Sequence, residues 1–242
     1  MDLAMPHEQM SEQQVAAYLK MDLREVQKLA SRGQLPCRKV GGKFVFGKSD
    51  VDHWVESRMH TLDRKRLGAI EQGVSEHHGF DSEAMLLSDL IPPGGLAVPL
   101  DARTRDAVIR GLVDLAQAAD LVHDRDRLID EIRRREELCT TALVPEVALP
   151  HPRHPLPGDI EASFVVAGLA PSGIPYGSPD GSLTRLFFLI CCKDDRTHLH
   201  VLARLGQVLD DPRVVERLLS ASSAEELWAL IVAQEKSAVE RR

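Results

Sequence analysis

The chain has 242 residues, with 30 Lys+Arg against 37 Asp+Glu, a formal net charge of −7, four Cys and 4% aromatics. At roughly 100–200 residues per domain, this length holds one large domain or two small ones. A hydrophobic content of 43% excludes a wholly disordered chain. The longest uninterrupted apolar run, Leu186–Cys192, is far short of the ~20 residues of a transmembrane helix. The opening MDLAMPHEQMSEQQ has neither the basic nor the apolar region of a secretory signal, so the cytoplasm is the expected compartment. Cys37, Cys139, Cys191 and Cys192 form no C-x-x-C pair, which favours buried thiols over a disulfide framework or a Cys-type zinc site.

Charge divides unevenly. Residues 1–73 carry 12 Lys+Arg and 10 Asp+Glu, or +2, whereas residues 74–242 carry 18 and 27, or −9. This suggests a mildly basic module at 1–73 and an acidic module at 86–242. The polar, aperiodic stretch at 74–85 reads as a linker, part of it helical.

In the first module, Ser11-Glu-Gln-Gln14 is a capping-box pattern, followed by an apolar face of Val15, Ala16, Tyr18 and Leu19. Asp22-Leu-Arg-Glu25 repeats the capping logic before Val26, Leu29 and Ala30. Gly33 and Pro36 then stop the second helix. Two short capped helices around a tight break predict a helix-turn-helix. Cys37-Arg-Lys-Val40 and Lys43-Phe-Val-Phe46 around Gly41-Gly42 predict a β-hairpin. Ser49-Asp-Val-Asp52 is the expected cap of a third helix with Val51, Trp54 and Val55 inward.

As an ordered set over about residues 9–60, these segments resemble the excisionase-type winged helix-turn-helix domain. The resemblance implies a mostly α domain with a β-hairpin. Its second helix would enter the DNA major groove with Arg24, Gln27 and Lys28, and Arg38, Lys39 and Lys43 would supply phosphate contacts. Charge alone is a weak footprint, and a domain of this shape can also dock protein.

In the second module, a short helix within 86–93 and an edge strand at 96–100 precede amphipathic helices from Thr104 or Asp106 to Ala119 and from Asp124 to Glu137. A short strand at 146–149 ends at Pro150-His151. Residues 160–169 and 183–192 are near-continuously apolar and predict central strands, separated by the Gly-rich 173–181. Helices follow at 197–209, 212–219 and 223–235, so the module is α/β.

Arg135-Glu-Glu-Leu-Cys-Thr-Thr141, Val147-Ala-Leu-Pro-His-Pro-Arg153, Gly177-Ser-Pro-Asp-Gly181, Phe187-Phe-Leu189 and His198-Leu-His-Val-Leu-Ala-Arg-Leu205 resemble, in order and spacing, the enzyme IIA domain of the phosphoenolpyruvate-dependent phosphotransferase system, fructose/mannitol and nitrogen-regulatory branch. The resemblance covers nearly all of 86–238 and implies a mixed central sheet flanked by helices. It implies that His151 accepts a phosphoryl group from an HPr-type phosphocarrier, that His198 assists from a helix N-terminus, and that Arg135 and Thr141 contact the phosphoryl group or hold its loop. For Arg135 an ordinary helix-end salt bridge is the competing reading. Cys139 departs from a common Gly, Thr140 stands where many members have Ser, and His154-Pro155-Leu156-Pro157 forms a proline-rich exit.

His151/His154 and His198/His200 were weighed as metal ligands. The enzyme IIA resemblance, the lack of nearby Cys and the lack of a Glu-x-x-His pattern argue against that role, and His200, two residues on from His198 in a helix, faces ~200° away from it. No metal and no cofactor is therefore expected. Together the two resemblances imply a phosphorylation-responsive DNA-binding regulator. The alternative is a sugar-transport component that relays phosphoryl to a permease, with the first module as a docking element; no permease or IIB-like segment follows within this chain. A homodimer would let two copies read half-sites ~34 Å apart.

Overall fold

The structure is a computed structural model that describes residues 8–58, 62–79, 85–143 and 146–240. It contains a helix-turn-helix unit followed by an α/β unit.

The first unit opens with β1 (Gln9–Ser11), a strand that sequence reading did not anticipate, and α1 (Glu12–Tyr18). Ser11 and Gln14 form the expected capping box, with Ser11 N donating to Gln14 Oε1 at 2.8 Å. The second helix, α2 (Leu23–Ser31), begins on Asp22, whose side chain accepts from Arg24 N. The hairpin is β2 (Arg38–Val40) and β3 (Lys43–Gly47), antiparallel. Gly41 and Gly42 turn it with φ of +58° and +84°, which suits the left-handed backbone of a tight hairpin turn. The other edge of β3 pairs with β1, placing Met10 opposite Phe46. Next, α3 (Lys48–Glu56) starts with Gly47 as N-cap and no side-chain cap. The expected cap at Ser49 is thus corrected: β3 runs straight into the helix, and Ser49 lies in its first turn.

Then α4 (Arg64–His78) begins at the Asp63 cap and ends at Gly79, φ +67°. It runs past residue 73, and Val74 and Ser75 are buried in it. Residues 80–84 of the expected linker lie outside the described residues.

The second unit opens with a 3₁₀ turn, Ser88–Leu90, where a short helix was expected. Its helices are α5 (Arg105–Ala118), α6 (Arg125–Leu138), α7 (Asp195–Leu209), α8 (Pro212–Leu219) and α9 (Ala224–Glu240). Its strands are β4 (Leu96–Ala97), β5 (Ala142–Leu143), β6 (Val147–Ala148), β7 (Phe164–Ile174) and β8 (Thr184–Cys191). They form one mixed sheet in the order β4-β7-β8-β6-β5, in which β4 is parallel to β7, β6 is parallel to β8, and β7 is antiparallel to β8. Both long apolar runs occupy the centre, as continuous hydrophobic strands should.

Alternate residues of β7 and β8 serve two cores. Phe164, Val166, Phe187 and Leu189 face α5 and α6 through Val108 and Ile132. Val165, Ala167, Phe188 and Ile190 join the other cluster, with Leu202 and Leu205 of α7. That second cluster continues through Leu67, Ile70 and Val74 of α4 into Val15, Val26 and Phe46 of the helix-turn-helix unit. Full burial of such a side chain contributes about 1.5–3 kcal/mol, so three of them on α4 are significant against a typical total stability of about 5–15 kcal/mol. A buried polar knot adds specificity: Glu71 accepts from Arg204 at 2.6 and 3.0 Å and from Gln207 at 2.5 Å.

Candidate functional site

His151 follows β6 between two prolines. Pro150 and Pro152 have fixed φ and no N–H, and the Pro150 carbonyl accepts from Ile190 N at 2.9 Å, pinning the segment beside β8. His151 Nδ1 lies 2.7 Å from the Leu149 carbonyl. Only an N–H can satisfy a carbonyl there, so Nδ1 carries the proton and the lone pair is on Nε2. His151 is buried, and its Nε2 has no hydrogen-bond partner.

His198 lies in the first turn of α7, whose cap is Asp194, accepting from Thr197 N at 2.9 Å. The His151 and His198 ring centroids are 5.0 Å apart. The third member of the group comes from the other unit: Glu56, the last residue of α3. Its Oε1 lies 3.2 Å from His198 Nε2, an ion-pair contact outside hydrogen-bond geometry. Its Oε2 lies 3.2 Å from His53 Nδ1. One donor atom each from Glu56, His151 and His198 fall within 4.8 Å of one another.

Their charges differ. Burial, reinforced by the neighbouring His198, pulls the His151 imidazole down to about 3, so it is neutral at physiological pH. Burial opposes charge on His198 as well, but Cys192 and Glu56 outweigh it and raise His198. Burial alone would raise Glu56; the imidazoles of His198 and His53 reverse that and hold it well below the usual carboxylate range. The site therefore pairs a cation and an anion beside a neutral nitrogen with a free lone pair.

Arg135 and Thr141 are buried, and with His151 they line a cavity of about 400 Å³ at the junction of the two units. Arg135 donates from Nη1 to the Cys139 carbonyl at 2.8 Å, and its Nε has no partner. Thr141 donates from Oγ1 to the Glu136 carboxylate and from its amide to Glu136 Oε2 at 3.2 Å. Glu136 was not singled out in the sequence, although it lies inside the Arg135–Thr141 motif. His154 is exposed. His200 is buried elsewhere, with Nε2 2.9 Å from the Met85 carbonyl and Nδ1 3.1 Å from Glu71. Cys191 and Cys192 are buried thiols, whereas Cys139 is exposed.

On the helix-turn-helix unit, Arg24, Gln27, Lys28, Arg38, Lys39 and Lys43 are all exposed. Glu12 ties this surface together by accepting from Gln27 Nε2 at 2.7 Å and from Phe44 N at 3.2 Å. Lys39 Nζ lies 5.7 Å from the Phe44 ring centroid.

Residues 91–234 match the family model for the phosphoenolpyruvate-dependent sugar phosphotransferase system, EIIA 2. The chain belongs to this enzyme IIA family. Residues 10–59 match a helix-turn-helix domain, so this enzyme IIA protein carries both units read from the sequence. It is 27% identical over 150 residues to a nitrogen regulatory protein of Bradyrhizobium diazoefficiens, across 61% of this chain and 95% of that protein. It is 24% identical to the PTS system fructose-specific EIIABC component of Bacillus subtilis, across 63% of this chain but only 24% of that protein. The fold matches nitrogen regulatory protein IIA-Ntr from Neisseria meningitidis with a TM-score of 0.53 at 21% identity, covering 60% of this chain and 97% of that one. IIA mannitol from Escherichia coli matches with a TM-score of 0.51 at 24% identity, covering 57% and 96%. Glu56 lies outside the enzyme IIA match and inside the helix-turn-helix match, which is why the enzyme IIA motifs gave no sign of it. Among the described residues, no helix is long and apolar enough to cross a membrane.

Proposed function

We propose that this enzyme IIA protein accepts a phosphoryl group on His151 and, through Glu56, couples that state to DNA binding by an excisionase-type helix-turn-helix domain. The observation that carries the reading is the Glu56 carboxylate, supplied by the helix-turn-helix unit, lying against the His151–His198 pair.

The neutral Nε2 of His151 is the nucleophile. It attacks the phosphorus of a phosphohistidine on an HPr-type carrier; the donor's P–N bond breaks with its electron pair going to the donor nitrogen, and a new P–N bond forms on His151. Nδ1 keeps its proton, which it donates to the Leu149 carbonyl. Such transfer needs in-line placement and positive groups around the equatorial oxygens more than covalent help. His198 at the start of α7 supplies one, with the helix N-terminus behind it. Arg135 supplies another from the cavity wall, and Thr141 holds the loop through Glu136. On this reading the protein works beside a soluble carrier, in the cytoplasm.

A phosphoryl group on His151 brings ~1.5–2 negative charges into the space beside Glu56. At ~4 Å and an effective dielectric near 20, repulsion is about 4 kcal/mol per pair of unit charges, above the 1–3 kcal/mol typical of allosteric coupling. Phosphorylation therefore unseats the end of α3. The DNA-facing side chains are exposed with α3 seated, so coupling acts by reorienting the unit rather than by uncovering it.

Incubation of the full chain with phosphoenolpyruvate, enzyme I and HPr is expected to give acid-labile phosphohistidine at His151 and none in His151→Ala. Phosphate mapped to another residue overturns the site. DNA affinity is expected to differ by about fivefold or more between the phosphorylated and unphosphorylated proteins, with His151→Ala unresponsive to donor. Equal affinity in all three sinks the coupling.

The transport reading has one supporting observation: a fold match of TM-score 0.51 to a structure described as enzyme IIA mannitol in complex with phosphorylated enzyme IIB mannitol. Transfer from His151 to a permease cysteine with purified components would favour it.

A further inference from the structure

We propose that Glu56, His151 and His198 together bind one zinc ion, which joins the two units of the chain. This goes beyond phosphoryl transfer and rests on the same seating of α3.

The donor set is two imidazoles and a carboxylate, a combination that holds zinc in three-ligand sites with a fourth position for water. Tetrahedral zinc with bonds near 2.0–2.2 Å separates its ligand atoms by about 3.3 Å. Glu56 Oε1 and His198 Nε2 already lie 3.2 Å apart. All three donors fall within 4.8 Å, so His151 needs to close by at most ~1.5 Å. His151 Nε2 is buried without a hydrogen-bond partner, which is costly to leave unsatisfied, and His198 Nε2 has only its ion-pair contact with Glu56.

Each ligand is also held from behind, as metal ligands generally are. His151 Nδ1 is fixed by the Leu149 carbonyl at 2.7 Å. Glu56 Oε2 faces His53 Nδ1 at 3.2 Å. The His198 ring has Cys192 as a second partner. The cavity of about 400 Å³ touching Glu56 and His151 leaves room for a water in the fourth position. Magnesium fits less well, because it is a hard cation that takes oxygen ligands rather than imidazoles. The sequence offered only His154 and His200 as neighbouring ligands for His151 and His198, with no Cys or Glu-x-x-His pattern beside them. The third ligand comes instead from the helix-turn-helix unit.

The test uses the full chain with no phosphodonor. After chelator treatment and dialysis against Zn²⁺, elemental analysis is expected to find one zinc per chain. Co²⁺ in its place is expected to show the visible absorption of tetrahedral coordination. Glu56→Gln, which preserves shape, is expected to weaken zinc binding at least ~10-fold, as is His198→Ala. Circular dichroism checks that each variant is folded, and Glu56→Gln decides if His198→Ala is not. Absence of bound zinc from the folded parent chain overturns the proposal, as does unchanged affinity in Glu56→Gln. A chain that binds zinc yet takes no phosphate fails only the phosphoryl-transfer reading.

Discussion

The Glu56 carboxylate lies within 4.8 Å of the His151 and His198 ring nitrogens, and on the proposed reading a phosphoryl group on His151 enters beside it. Shortening it is therefore expected to speed phosphoryl uptake: Glu56→Ala should react about 10-fold faster with phosphorylated HPr, measured by quench-flow with radiolabel, if about 1.4 kcal/mol of the barrier is moving the carboxylate. An unchanged rate would mean that α3 does not obstruct the nitrogen. A second residue-scale device lies one turn back on α3. Asp52 is buried, accepts from Tyr18 Oη at 2.9 Å and from Lys48 Nζ at 2.8 Å, and also feels Asp195 of α7. Burial pushes its carboxyl up to about 6, against the pull of Lys48. The sign follows: the unfolded carboxyl ionises near pH 4, while the folded one keeps its proton to about 6. Its contribution to stability, of the order of 3 kcal/mol, is therefore present below pH 4 and lost as pH rises through 6. Urea titrations from pH 4 to 7 should show that decline in the parent and a flatter profile in Asp52→Asn, which is also less stable overall because Lys48 loses its partner.

At the scale of elements, α4 decides how the units meet. One face lies along α7, with Glu71 in the buried polar knot, and another meets the end of α1. The second contact is close: a Cβ on Gly73 would meet the Tyr18 carbonyl oxygen at 2.1 Å, and backbone cannot swing away. Gly73→Ala, although it improves helix propensity by ~1 kcal/mol, is expected to destabilise the protein by about 1–3 kcal/mol through overpacking. A fall in thermal midpoint is the expected readout; a rise would show that the two helices can separate at no cost. The same helix explains why residue 73 looked like a boundary. Its sequence is polar overall because only a narrow stripe of Leu67, Ile70 and Val74 reaches the core.

For the whole molecule, the two units share one apolar cluster and one charged knot, so docking and stability are linked. Arg204 is the knot's centre, 1% exposed, pairing with Glu71 and, at 3.4 Å, Glu235. Arg204→Met removes the cation and leaves buried carboxylates, a change expected to cost about 3–5 kcal/mol. Hydrogen exchange should show α4 losing protection before the central strands β7 and β8. Uniform loss across both would mean that the knot holds no particular joint. The net charge of −7 is likewise an average over a mildly basic helix-turn-helix unit and an acidic enzyme IIA unit, and says nothing against a basic DNA-facing surface.

What the sequence determined by itself is local. Ser11, Asp22 and Thr104 carry caps, Gly41-Gly42 carries a left-handed turn, and the apolar runs ending at Leu169 and Cys192 can lie only in the middle of a sheet. Each is set by neighbours a few residues away, and the ordered enzyme IIA motifs marked His151 and His198 in the same way. The tertiary structure decided what those histidines face. Glu56 is 95 positions from His151 in a segment with no enzyme IIA motif, and nothing in its own surroundings distinguishes it from any carboxylate at a helix end. It becomes a site residue only because Leu67, Ile70, Val74 and Glu71 of α4 dock the helix-turn-helix unit on α7, and burial beside two imidazoles then gives its charge a role that a solvated glutamate lacks.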